Sequence, residues 1–106
     1  MIACNCVVQE GQISAETEAA LRANINDFTQ RRFGAGAEIS WVAIPERSGF
    51  TAGQPSTSSI ISVRAPAPVS KADREPLLRE LCEIWTTETS CTINEIVGVI
   101  SDPVGE

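Results

Sequence analysis

The chain contains no histidine and no tyrosine, and Lys71 is its only lysine. Ser-His, Cys-His and histidine acid–base mechanisms are thereby excluded. Proton chemistry is left to the carboxylates, Lys71, the cysteines and an α-amine at Met1. The Met1 amine is the sharpest candidate, because a primary α-amine near neutral pH can take up a proton or condense with a carbonyl; the bland alternative is a solvated terminus. Arg64 alternates with Ser62 and Ile60 on one face of a strand pattern. Its planar fork suits a bound carboxylate, and an ion pair explains it equally well. Asp102 stands before Pro103 and is either a turn residue or an acid at a site. Trp41 suits a core or a subunit interface, where an indole fills space well.

Four cysteines are present, Cys4, Cys6, Cys82 and Cys91. Cys-x-Cys on one strand face does not close comfortably on itself, and the spacing to the later pair fits no zinc pattern. We expect four reduced, half-buried thiols, no metal and no cofactor. Cys4 and Cys6 could border a pocket near the chain start, but a reactive thiol needs a neighbouring positive charge, and the sequence puts neither histidine nor lysine beside them.

These residues must be held by elements that the hydrophobic pattern outlines. Ile39–Pro45 and Ile96–Pro103 are apolar, β-branched runs entered through Glu38 and Glu95 and closed by proline, about 57 positions apart. Residues 1–8 form the first strand pattern, with Ile2, Cys4, Cys6 and Val8 on one side and Ala3, Asn5 and Val7 on the other. Ser14 caps a first helix whose stripe is Leu21, Ile25, Phe28 and the aliphatic stem of Arg32, ended by Gly34 or Gly36. After the strand 39–44, a loop holds Gly49, Phe50, Gly53 and a serine run, long enough to suggest function. Phe50 is either a lid over the core or a contact for a partner chain. Residues 60–65 form the third strand. Ser70 caps a second helix that either starts near Glu75 or bends at Pro76, and Leu77, Leu78, Leu81, Ile84, Trp85 and Glu88 give its period. Residues 95–101 form the last strand.

Ser14 matches Ser70, Leu21 matches Leu77, Ile25 matches Leu81 and Phe28 matches Ile84. The chain therefore reads as one domain over 1–106, an α+β unit made of a duplicated βαβ, with repeats 1–46 and 59–103 and a connecting loop 47–58. Right-handed crossovers place both helices on one face of a four-stranded mixed sheet. The run Ile96–Ile100 is apolar on both sides, so the other face also expects cover. That cover must come from another chain, which makes the protein a homo-oligomer. A net charge of -6 argues against nucleic acid, and no apolar run spans a membrane. Nothing resembles a secretory signal, so a cytoplasmic location is the default expectation.

A duplicated βαβ chain of this length resembles the tautomerase superfamily, in particular its cis-3-chloroacrylic acid dehalogenase and malonate semialdehyde decarboxylase branches. The stretch Pro45-Glu-Arg-Ser-Gly-Phe50-Thr-Ala-Gly53 is similar to that family's Pro-x4-Phe-x2-Gly, and the Ser70 helix opening and Asp102-Pro103 also fit. The resemblance covers nearly the whole chain, and its motifs are mostly structural. It implies a trimer whose inner sheet faces form a barrel, and chemistry on small 2-oxo or unsaturated acids by an N-terminal proline with arginines on the substrate carboxylate.

The family's reactive positions differ here. Ile2 stands where the resemblance implies the proline, and its bulk would keep Met1 in place, one residue of strand, roughly 3.3 Å, from the proline nitrogen. Thr29 falls on the histidine of the dehalogenase branch. The expected arginines fall on Pro66 and Val69, and the aromatic of the last strand on Gly98 or Val99. Asp102 keeps the acid, and Arg64 lies a little earlier than the family arginines. Two functions follow as expectations. One is a tautomerase-like enzyme with weak or altered proton transfer on small 2-oxo or enol acids, using Met1 or Asp102 with Arg64, Trp41, Phe50 and Thr29 around the substrate. The other is a non-catalytic module that binds a small carboxylate ligand or a partner, including a ferredoxin-like βαββαβ domain with another strand order.

Overall fold

A computed structural model of the chain describes residues 1–103. Its elements run β1 (Ile2–Gln9), α1 (Ala15–Phe33), β2 (Ala37–Ile44), a two-residue pair β3 (Phe50–Thr51) and β4 (Gln54–Pro55), β5 (Ser59–Arg64), α2 (Lys71–Thr89) and β6 (Ile96–Ser101). A 3-10 turn, Ile93–Glu95, leads into β6. The main sheet has the order β2-β1-β5-β6. β1 and β2 are parallel, β5 and β6 are parallel, and β1 meets β5 antiparallel at the centre.

Each helix thus joins two neighbouring parallel strands. In the ferredoxin-like split βαβ, by contrast, another strand sits between the joined pair. The ferredoxin-like alternative is set aside on that ground. The expected α+β fold, two βαβ units on a four-stranded mixed sheet, is the one observed.

Both helices begin as their sequences dictate. Ser14 accepts a hydrogen bond from the Thr17 N–H, and Ser70 from the Asp73 N–H. Gly34 ends α1 at φ 75°, a left-handed conformation that suits glycine. Ser90 takes the same role in α2 at φ 60°. Pro76 does not delay the second helix: α2 starts at Lys71 and carries the proline inside it. Leu77, Leu78, Leu81 and Trp85, packed into the core on one stripe, hold the helix together past the missing N–H.

The core lies between the sheet and the helix pair. Ile2, Cys4, Cys6 and Val8 from β1, Ile61 and Val63 from β5, and Ile96 and Ile100 from β6 are buried against Leu21, Ile25, Phe28, Leu81 and Trp85. Arg32 does not extend the α1 stripe. It is exposed and bonded to Glu80 of α2, and Phe33 packs edge-on against Phe28 instead, with ring centroids 6.0 Å apart. Arg31 reaches the same carboxylate, so Glu80 ties the helices together. Burial raises the Glu80 carboxyl, and the hydrogen bonds from Arg31 and Arg32 outweigh it and hold it low.

Among the described residues no helix covers the opposite sheet face, and only the loop around Phe50 borders it. The long loop is partly ordered by the β3–β4 pair. Gln9 bonds to the Ser56 carbonyl, and Gln12 bonds to the Thr57 carbonyl at 2.6 Å. The Gln12 carbonyl oxygen also accepts from the Ser59 hydroxyl. These contacts hold the loop against the end of β1.

Candidate functional site

The pleat divides the open face into two halves. Toward the ends of β1 and β2, Val7 stands between Val42 and Ile60, and Ile60 pairs with Val97. This half is apolar and exposed, with Val42, Ile60 and Val97 each more than two-fifths accessible. Phe50, 69% exposed, borders the same patch with Ile44 and Val7. Of the two roles expected for Phe50, a lid over the core is not what the structure has. Its ring is on the open side of the sheet, away from the helices.

Toward the start of β1 the face turns polar. Asn5 sits between Ser40 and Ser62 in adjacent strands. One pleat further, Ala3 pairs with Glu38, and the β1–β5 register sets Arg64 on its other side, beside Ser101. These residues line an open depression of about 650 Å³. Its floor is low because Ala3 and the serines are small. Among the described residues, the side chains of Asn5, Ser40, Ser62, Glu38 and Arg64 form no hydrogen bond within the protein, and neither charge is in an ion pair. The depression is therefore a set of donors and acceptors with one cation, Arg64, and one anion, Glu38. A guanidinium there can take a carboxylate bidentately, and the neighbouring hydroxyls and amide can take further oxygens.

The other residues expected at a site are not gathered here. Met1 is 81% exposed and does not line the depression, and the Ile2 side chain is buried on the helix side. Thr29 is fully buried in the core and donates its hydroxyl to the Asn26 carbonyl at 3.0 Å, so its side chain cannot reach the open face. Trp41 also points to the helix side, stacked 5.9 Å from Trp85 with Arg22 over its ring. Asp102 accepts from the Val69 N–H at 3.0 Å and pairs with Arg74 at 2.5 Å. The Val69 N–H, with the help of Arg74, holds its carboxyl below the usual range. It fastens the approach to α2.

Cys4 borders the depression but its side chain is buried on the helix side, where the thiol donates to the Ile2 carbonyl. Burial pushes the Cys4 thiol up to about 11 and the Cys6 thiol to about 12. Both are buried more completely than the half-burial expected, while Cys82 and Cys91 are half-buried. Among the described residues no three Cys, Asp or Glu side chains converge to hold a metal ion, and no helix is long and apolar enough to cross a membrane.

Sequence reading found Arg64 and missed Asn5, Glu38 and Ser40. The signal was available as polar residues alternating with Cys4, Ile39 and Trp41, a pattern that marks the open side of a strand. It did not say which strands are neighbours.

No family model matches the sequence, and no curated protein matches it. Solved structures do match. Native Ps01740 shares 25% identity over 95% of this chain and 93% of its own, with a TM-score of 0.86. N1, a member of the cis-3-chloroacrylic acid dehalogenase family, gives a TM-score of 0.86 at 13% identity, over 98% of this chain and 76% of its own. A wild-type fused 4-OT symmetric trimer gives 0.83 at 14% identity, over 95% of this chain and 85% of its own. The chain has the tautomerase-superfamily fold. The resemblance read from the Pro45–Gly53 stretch and the duplicated βαβ is borne out at that level. Within the tautomerase fold, this chain sets Arg64 and Glu38 on the open sheet face and carries Ile at position 2.

Proposed function

We propose that this tautomerase-fold chain binds a small carboxylic acid at Arg64, with proton transfer on 2-oxo or enol acids slow or absent, and that it works as a homo-oligomer, a trimer. The observation that carries the binding reading is the Arg64 guanidinium, unpaired among the described residues, beside polar side chains that form no hydrogen bond among them. The slow chemistry follows from the absence there of the two expected proton carriers, the one carboxylate present, Glu38, standing two strands across from Arg64. Met1 and Asp102 do not line it, and Asp102 is already committed to Val69 and Arg74. The oligomer rests on the exposed apolar half. Val42, Ile60, Val97 and Phe50 form one patch that a second copy of the chain would cover, as the 4-OT relative's trimeric state suggests.

The test is a pair of measurements. Ketonisation of an enol acid such as phenylenolpyruvate should match buffer, while a simple carboxylate should shift the Asn5 and Ser62 amide resonances in wild type and not in Arg64→Ala. Rapid ketonisation lost in Arg64→Ala would overturn the slow-chemistry reading. Carboxylate binding indifferent to Arg64→Ala, or no binding at all, would overturn the site. Sedimentation should give a trimer, and a stable soluble monomer would overturn the assembly.

A further inference from the structure

The proposed site has a second charge that a plain carboxylate does not use. Glu38 and Arg64 flank Ala3 on its two neighbouring strands. Two interstrand spacings put their backbones roughly 10 Å apart. Both line the same depression, yet no ion pair forms between them or with any other described residue. Ala3, the smallest side chain in the row, leaves the space between them open. Asn5, Ser40 and Ser62 floor the next row with groups that either donate or accept.

We infer that the depression takes a small zwitterion: a carboxylate on Arg64 and, a few carbons away, an ammonium on Glu38. The inference rests on the carboxylate-binding reading and sharpens it. A diacid would set its second carboxylate against Glu38, so the site discriminates by repulsion as well as attraction. A monoacid gains only the Arg64 contact. A ligand with one charge of each sign satisfies both walls and leaves the floor to hold its polar substituents. The apolar row of Val42, Val7, Ile60 and Val97 runs beside the polar one and is separate from the Glu38–Arg64 row.

Three five-carbon probes test this: 5-aminopentanoate, pentanoate and pentanedioate, each titrated into the full chain at low salt and followed by the Asn5 and Ser62 amide shifts. The expected order of affinity is zwitterion, then monoacid, then diacid. The zwitterion should gain about two- to fivefold over pentanoate, the range of an exposed ion pair. Glu38→Gln should remove that preference, bringing 5-aminopentanoate and pentanoate to the same affinity, and Glu38→Lys should make pentanedioate the tightest of the three. Both positions are exposed, so the variants should fold as wild type does. A diacid binding as tightly as the zwitterion, or a zwitterion preference that survives Glu38→Gln, would overturn the inference and leave carboxylate binding standing. Binding of none of the three, or binding unchanged in Arg64→Ala, would overturn both.

Discussion

Gly98 approaches Cys82 so closely that a Cβ at position 98 would lie 2.9 Å from the Cys82 Sγ. β6 meets α2 at a distance that a side chain would not permit. An aromatic in the last strand at position 98 would drive into α2, whereas Val99 faces the open side, paired with Ser62.

Gly98→Ala should therefore destabilise the fold by about 1–3 kcal/mol through overpacking. Urea titration of Gly98→Ala, Cys82→Ala and the double variant gives the coupling. The double variant should recover part of the loss, because removing the thiol clears the clash. Strictly additive losses would place the strain elsewhere.

Thr29 and Trp85 test the direction of the core. Trp85 is buried and stacked on Trp41, and Trp85→Ala should cost about 3–5 kcal/mol with loss of the near-ultraviolet circular dichroism of the pair. Thr29→His should also destabilise, by about 1–3 kcal/mol, since Thr29 is fully buried and a larger ring would overpack the core. It should leave carboxylate binding at Arg64 unchanged once folded. A gain of ketonisation activity in Thr29→His would contradict its placement in the core.

The Cys4 and Cys6 thiols set an alkaline limit. In the unfolded chain they ionise near 9.0; in the native state they hold their protons to about 11 and about 12. The unfolded state therefore sheds protons first, and stability falls as pH rises from about 9 through the native values. Below 9 their contribution is constant. Cys4→Ala and Cys6→Ala should flatten that alkaline decline in thermal melts. At neutral pH both thiols should resist alkylation until denaturant is added, while Cys82 and Cys91 react sooner.

Asp102 sets a limit on the acid side. Its carboxyl is held below its usual 3.8 by the Val69 N–H and Arg74. The stabilisation is complete above that value and is lost as pH falls through the lower native one. Asp102→Asn should lose stability at neutral pH, and its gap from wild type should close in acid. Ser70→Ala, which removes a neutral cap, should cost about 1 kcal/mol at every pH. A constant gap for Asp102→Asn would show that the ion pair contributes nothing.

What the amino-acid order determined by itself was local. The pleat sorted Ile2, Cys4 and Cys6 from Ala3 and Asn5, the helical period placed Leu21, Ile25 and Phe28 inward, and Ser14 and Ser70 marked the helix starts. Those features depend on residues a few positions apart, whose geometry is fixed by the period of the element. The missing histidines, and an Ile96–Ile100 run apolar on both sides, were equally visible. Tertiary structure decided what depends on which strands become neighbours. It put β1 antiparallel to β5, which brings Glu38 and Arg64 to either side of Ala3 although they are far apart in the chain. It turned Thr29 and Trp41 away from the open face, and it tied Asp102 to Arg74. Strand pairing is a long-range contest among several apolar runs of similar pattern, and no single run encodes its partner.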